Sequence, residues 1–321
     1  MKVHAFDIGA STIKQGIVDT GPPSQLVTRL PVLRLPPTPT FHVVQERILA
    51  ALTSAADVEL VAIATAGAVD TDGTVVRAGA IQGYSRIHWP TLLAGFFPGL
   101  RGRVRVVNDG LAATWAEYER RGRTGTHVHF ALGSGIGGGI AIGGRLAHGT
   151  PPGPAGLGHI LVHPTSTVRC SCTRTGCVET LASVRAVLRG YQPPQPAASP
   201  RTSPPVRTRV PTLLELVHKT RNGDPAARRA FEAAGYWLGI AAATVLNILA
   251  PDVITVGGGL AQAAESAAGP DGGYLAAAQR AMRERAVPRL ADRAVLTPSP
   301  YGANGPLIGA ALLAATSEGD G

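Results

Sequence analysis

A chain of 321 residues, 45% hydrophobic and 16% charged, is long enough for two domains of ordinary size with a sizeable core. The formal net charge of +9 comes from scattered arginines with only three lysines, no run of five basic residues and few aromatics, a pattern that argues against nucleic acid and suits an anionic small molecule such as a nucleotide or polyphosphate. Met1 to Asp7 runs straight into a strand pattern, and the most apolar stretch, residues 238–250, contains Thr244 and Asn247 and is too short to span a bilayer. A cytoplasmic protein without a membrane partner is expected.

Val3, Ala5 and Ile8 mark a first strand, followed by a tight turn at Gly9-Ala10-Ser11-Thr12 and a second strand from Ile13 to Asp19. Residues 59–65 read as a buried strand, 70–73 as a turn, and 103–107 as a strand ending at Asn108-Asp109. A helix over 111–121 follows, with Leu111, Thr114, Trp115 and Tyr118 along one face. The opening pattern then returns: a strand at 127–132 enters the glycine run 133–139 and leaves through 140–142. Two such units suggest a duplicated fold with a cleft between its halves. Residues 192–211 are rich in Pro, Ser, Thr and Arg and read as a mobile loop or insertion. Asp224 caps a helix with Pro225 at its first position, running to about Leu249. A strand at 252–256 ends in Gly257-Gly258-Gly259; a helix at 274–286, a strand at 293–296 and a closing apolar helix at 305–316 complete the chain.

All the cysteines, Cys170, Cys172 and Cys177, fall in one short window, with His159 shortly before it. Three thiolates and an imidazole are the tetrahedral set of a structural zinc site, whereas a disulfide would leave one cysteine over. Zinc is therefore expected on His159, Cys170, Cys172 and Cys177.

Glycine-rich turns after apolar strands let backbone amides approach phosphate oxygens. The three candidates are Gly9, Ala10, Ser11 and Thr12; Gly133, Ser134, Gly135, Gly137 and Gly138; and Gly257, Gly258 and Gly259. None matches a Walker or a complete Rossmann pattern. Asp7 beside the first turn is a candidate carboxylate for magnesium held through water, and Lys14 a candidate cation for phosphate. Asp109, at a strand end, is a candidate base for a hydroxyl that attacks phosphorus; the alternative is that it merely caps the following helix. Asn108 beside it can meet a second hydroxyl.

These motifs, together with Ala155-Gly-Leu-Gly-His159, Cys170-Ser-Cys-Thr-Arg-Thr-Gly-Cys177-Val-Glu179 and Val256-Gly-Gly-Gly-Leu260, resemble the ROK family of bacterial sugar kinases in the actin/hexokinase/Hsp70 superfamily, in family order from residue 3 to about 313. The resemblance implies an α/β, two-lobed actin-like (ribonuclease H-like) ATPase fold with an interlobe cleft and a structural zinc loop. It makes Asp109 the catalytic base, Asn108, His159 and Glu179 the sugar contacts, and ATP, Mg2+ and structural Zn2+ the cofactors. The lobes would be 1–117 with the closing helix 305–316, and 118–304 carrying the zinc loop. Several positions depart from the family pattern. Ala155-Gly-Leu-Gly-His159 lacks an acid that usually contacts sugar, Ala10 and Ser11 replace Gly and Thr, and Thr173 replaces Gly after the second cysteine. Gln82 to Trp89 also departs where an asparagine before tryptophan is usual.

The expected function is ATP-dependent phosphorylation of a hexose or N-acetylhexosamine, at the 6-hydroxyl, of the N-acetylmannosamine kinase or glucokinase type, by a homodimer. The alternatives are a sugar-binding pseudokinase and a kinase using polyphosphate. A sugar-responsive repressor of the same family would need a helix-turn-helix domain ahead of Asp7, where there is no room for one.

Overall fold

The computed structural model describes residues 1–21, 25–54, 59–79, 81–148, 156–192, 211–267 and 273–316. The loop expected at 192–211 lies outside the described residues except for its two ends, as does Ala155. The chain divides into two units, one of Met1–Ala131, Gly137–Gly156 and Ala303–Gly321, the other of Leu132–Ile136 and Leu157–Gly302.

In the first unit, β1 (Lys2–Ile8) and β2 (Thr12–Asp19) form an antiparallel hairpin from Lys2↔Asp19 to Ile8↔Ile13. β3 (Gln25–Arg29) and the short β4 (Leu33–Arg34) pair with β2, and helix α1 (Phe41–Thr53) follows, capped by Thr40. β5 (Val61–Thr65) runs parallel to β1. A small antiparallel sheet of β6 (Ala68–Val69), β7 (Thr74–Arg77) and β8 (Ile87–His88) precedes α2 (Trp89–Phe96). β9 (Val104–Asn108) is parallel to β5 and completes the main order β3-β2-β1-β5-β9. Then come α3 (Asp109–Arg120), β10 (Thr126–Leu132), β11 (Ile136–Ile142), and β12 (Arg145–Leu146), which pairs antiparallel with β11.

Alternation along β1 serves two cores at once. Phe6 and Ile8 pack with Val44 and Ile48 of α1, with Ile63 and with Trp89, while Val3 and Ala5 pack with Ala62, Ala64, Ala112 and Leu307. The second core is built from small residues, so α3 and the closing helix, Gly305–Thr316, approach the sheet closely. The parallel strands end in one row, with Ile8 beside Thr65 and Thr65 beside Asn108. Carboxyl ends of parallel strands are where α/β sheets present reactive groups.

In the second unit, α4 (Val178–Ala182), α5 (Val184–Gly190) and α6 (Leu213–Arg221) lead into α7 (Pro225–Leu249). Asp224 caps α7 by accepting from the amides of Ala226 and Ala227, with Pro225 at the first position where its missing N–H costs nothing. Among the described residues α7 alone is long and apolar enough to cross a membrane; half of its apolar window is buried in the fold. The stretch expected to be too short for a bilayer is thus the second half of a 25-residue core helix. β13 (Val253–Gly257), α8 (Gly259–Ala267), α9 (Tyr274–Arg285), the short α10 (Pro288–Ala291), β14 (Leu296–Pro298) and α11 (Gly305–Thr316) finish the chain, α11 returning to the first unit. β14 starts where the expected 293–296 strand ends. Parallel pairing with β13 (Ile254↔Leu296, Val256↔Pro298) fixes its register, and a proline without an N–H is tolerated at the edge of a sheet.

Candidate active site and metal centre

In the first unit the site forms where β9 becomes α3. Asn108 is the N-cap: its Oδ1 accepts from the Leu111 amide at 3.1 Å. Its Nδ2 donates to the carbonyl of Gly67 at 2.9 Å and to Asp109 Oδ1 at 3.1 Å. The capping role considered for Asp109 therefore falls to Asn108, and the helix starts at Asp109 rather than Leu111. Asp109 is held, not used up: the Gly110 amide donates to its Oδ1 at 2.8 Å, and the side chain stays only partly buried. Burial, then the nearby Asp7 carboxylate, raises its pKa to about 6, against the opposing pull of the Gly110 amide and the Lys14 ammonium. Such a group is ionised near neutral pH yet more basic than an ordinary aspartate.

Asp7, buried on β1, faces Lys14 across the hairpin, and Lys14 Nζ lies 2.8 Å from Asp7 Oδ2. The same ammonium donates to the carbonyl of Ala303 at 3.1 Å, so it is fixed from two sides. Between them in sequence, the Gly9 amide donates to the Thr12 carbonyl at 2.9 Å, and Ala10 and Ser11 are exposed at the tip of the turn. Asp7 and Lys14 thus lie near the turn of the β1–β2 hairpin, and Asn108 and Asp109 at the junction of β9 and α3, with β5 between β1 and β9 in the sheet.

Sequence reasoning passed over a hydrogen-bonded group behind this row. Trp89 Nε1 donates to Tyr84 Oη at 2.9 Å, and Tyr84 Oη shares a 2.9 Å hydrogen bond with Thr65 Oγ1 at the end of β5. Burial pushes the Tyr84 hydroxyl up to about 12, so it stays protonated. The only signal in the sequence was the clustering of Tyr84 and Trp89 in the segment that departs from the family pattern.

The second unit holds the candidate metal centre. The ligand atoms of His159, Cys170, Cys172 and Cys177 all lie within 4.8 Å of one another. Cys172 Sγ and Cys177 Sγ are 3.6 Å apart, and Cys170 Sγ is 3.5 Å from His159 Nδ1. A tetrahedron with arms of about 2.0–2.3 Å to zinc has edges of roughly 3.5–3.8 Å. The 3.6 Å sulfur separation is far beyond the ~2.05 Å of a disulfide, and all three cysteines are free. Burial and the neighbouring thiols push Cys177 up to about 12, so a thiolate at that position calls for a cation beside it. The donor set fits zinc, which His159, Cys170, Cys172 and Cys177 would hold.

Glu179, on the first turn of α4, joins this loop to the second glycine turn. Its Oε2 accepts from the Ile136 amide at 3.1 Å, and its Oε1 accepts from Ser171 Oγ at 3.0 Å and from Cys170 Sγ at 3.5 Å. The turn itself is closed by the Gly133 amide donating to the Gly135 carbonyl at 2.9 Å, with Ser134 exposed at its tip. The glycine run divides by role. Gly138 is buried, and a Cβ on Gly110 would stand 2.5 Å from its nitrogen, so this part of the run lets β11 meet the start of α3 closely. Gly138, expected at phosphate, sits in this packing contact; Gly137 next to it is exposed. Gly257 ends β13, the Gly258 amide donates to the Gly302 carbonyl at 3.2 Å, and Gly259 opens α8, whose N-terminal amides suit an anion.

A model of the ROK family matches residues 3–317 of the chain. Kanosamine kinase of Amycolatopsis mediterranei is 31% identical over 68% of this chain and 67% of its own length. N-acetylmannosamine kinase of Shigella boydii is 30% identical over 98% of both chains. The crystal structure of a ROK family glucokinase from Streptomyces griseus, in complex with glucose and AMPPNP, superposes with a TM-score of 0.78 at 26% identity, covering 98% of this chain and 100% of that one. The α/β fold is that of these proteins, and the chain belongs to the ROK family.

Proposed function

We propose that the chain transfers the γ-phosphoryl group of ATP to a hydroxyl of a hexose or amino-substituted hexose, the 6-hydroxyl, with Asp109 as the base. As a member of the ROK family it is an ATP-dependent carbohydrate kinase. The observation that carries the assignment of the base is Asp109 itself: a carboxylate at a strand end, steered by Asn108 and Gly110, with its pKa raised to about 6. It takes the proton as the sugar oxygen attacks phosphorus; the bond from phosphorus to the bridging oxygen breaks, and ADP leaves with that electron pair. Asp7 would hold Mg2+ through water, which supplies charge neutralisation at the phosphates. Lys14, fixed by Asp7 and Ala303, and the amides around Ala10, Ser11 and Thr12 receive phosphate oxygens. Gly133 to Gly135 and Gly257 to Gly259 are assigned to the nucleotide, and Glu179, His159 and Asn108 to the sugar.

Similarity to kinases of kanosamine and N-acetylmannosamine supports an amino or acetamido sugar ahead of plain glucose. The cleft between lobes, their closure on sugar and a homodimeric, cytoplasmic enzyme belong to the same proposal and rest on the family resemblance. The deciding experiment is a coupled ADP-release screen over glucose, mannose, fructose, N-acetylmannosamine, N-acetylglucosamine and kanosamine, run with ATP and repeated with polyphosphate by direct detection of sugar phosphate. Turnover of one sugar with ATP supports the proposal; binding of a sugar without turnover with either donor gives the pseudokinase instead.

A further inference from the structure

Glu179 can hold a sugar hydroxyl in a fixed place only if its own carboxylate is fixed. A glutamate has three rotatable side-chain bonds, and a carboxylate held at one oxygen still swings about that contact. Oε2 is tied to the rigid backbone of the glycine turn through the Ile136 amide at 3.1 Å. Oε1 has two side-chain neighbours, Ser171 Oγ at 3.0 Å and Cys170 Sγ at 3.5 Å. These two differ once the metal centre is loaded. A sulfur serving as a metal ligand has no hydrogen to give, so Ser171 is then the side-chain donor at Oε1.

Ser171 is itself well placed for this. It lies between two zinc ligands, Cys170 and Cys172, and the loop around it is closed by backbone bonds, the Cys170 amide to the Arg174 carbonyl at 2.7 Å and the Thr173 amide to the Cys170 carbonyl at 2.9 Å. Its hydroxyl therefore starts from a short, cross-linked loop rather than a free strand. A hydroxyl donating to a carboxylate is a charge-assisted bond, stronger than one between neutral groups.

We infer that Ser171 is a positioning residue for sugar binding: its hydroxyl donates to Glu179 Oε1 and, together with the Ile136 amide on Oε2, sets the plane in which the carboxylate meets the sugar. The inference rests on the reading of Glu179 as a sugar contact. Because Ser171 acts through Glu179 and is far in role from the proton transfer, its loss should weaken sugar binding and leave turnover at saturation nearly intact.

The test uses the full chain loaded with zinc and the sugar with the highest turnover in the screen above. Ser171→Ala, Ser171→Thr and Glu179→Gln are compared with wild type by KM, by kcat, by calorimetric sugar affinity without nucleotide, and by zinc content. Removing one charge-assisted bond at a solvent-exposed site should raise the sugar KM and Kd about threefold in Ser171→Ala. The same variant should keep kcat within about twofold and one zinc per chain. Ser171→Thr, which keeps the hydroxyl, should return both constants towards wild type. An unchanged KM in Ser171→Ala while Glu179→Gln loses affinity would overturn the inference and leave Glu179 as a sugar contact. Unchanged affinity in both variants would overturn the reading of Glu179 and the inference with it. Loss of zinc in Ser171→Ala, or a Ser171→Thr variant as weak as the alanine, would show a role in building the loop or its shape instead of a hydroxyl donor.

Discussion

Gly135 lies against the carboxylate of Glu179 so closely that a methyl group at residue 135 would stand 2.5 Å from Glu179 Oε2. The contact links the turn assigned to nucleotide phosphate with the side chain assigned to sugar, and any residue larger than glycine there requires the turn or the glutamate side chain to move. In Gly135→Ala either the turn or Glu179 must shift, and both are held, one by the Gly133–Gly135 backbone bond and the other by Ile136 and Ser171. Sugar KM and ATP KM should both rise, by roughly tenfold or more, since misplacing positioning groups by about 1 Å carries costs on that scale. Steady-state kinetics in both substrates checks it; no change in either constant would mean the carboxylate relaxes without cost.

The metal prediction concerns stability. Purified protein should carry one zinc per chain, and Cys172→Ser should lose it. A thiol-to-hydroxyl exchange leaves two sulfurs and an imidazole, too few to close the tetrahedron, and loss of a structural metal typically costs a few kcal/mol. The loop from His159 to Cys177 has little apolar burial to replace that energy: Leu161 is 62% exposed and Ser171, Thr173 and Arg174 face solvent. Elemental analysis and the melting temperature with and without a chelator measure both claims.

The cluster of His159, Cys170, Cys172 and Cys177 was legible in the sequence because residue identity and crowding along the chain already bring one imidazole and three thiols together. The cap of α7 was legible too, since Asp224-Pro225 carries its own local chemistry. What local pattern does not carry is partnership across the chain. The strand expected at 293–296 moved to Leu296–Pro298 because β13 fixes its register. Gly138 carries the pattern of a phosphate turn, and its packing against Gly110, 28 positions earlier, is visible only in the fold. Asn108 and Asp109 are both good caps by residue type, and only the bond from the Leu111 amide tells which one caps.

The same limit hid the Thr65–Tyr84–Trp89 group, which yields a separate prediction. Tyr84 is 1% exposed, and its hydroxyl serves both Thr65 Oγ1 and Trp89 Nε1. Tyr84→Phe keeps the ring and its stacking on Phe41 but strands buried polar groups. The expected loss is about 1–3 kcal/mol, read by urea unfolding with an unchanged slope. Since Thr65 sits beside Asn108 in the sheet, a modest rise in KM should accompany it. No loss of stability would mean that water replaces the hydroxyl.

Asp109 carries the last prediction, and two properties of one variant should move in opposite directions. If the carboxylate accepts the sugar proton, Asp109→Asn should lower kcat by about 10²–10⁴-fold, the usual worth of base catalysis. Wild-type kcat/KM should fall as pH drops through about 6, where the raised pKa of Asp109 puts its protonation. Asn108→Asp, which sets a second carboxylate beside Asp109, should move that limb upward. For stability the sign is reversed. Folding raises the pKa from 3.8 to about 6, so the folded state binds this proton more tightly than the unfolded one. The stabilising contribution is complete below pH 3.8 and is lost as pH rises through about 6. Asparagine has no charge to desolvate, so at pH 8 Asp109→Asn should be more stable than wild type, by about 1–3 kcal/mol after allowance for its partial exposure. Near pH 3 the gap should close. Thermal unfolding across pH, set against turnover of the same variant, separates the outcomes: a carboxylate with only a structural role would leave kcat near wild type, whereas a slow but more stable enzyme at pH 8 marks a group kept for chemistry at the expense of the fold.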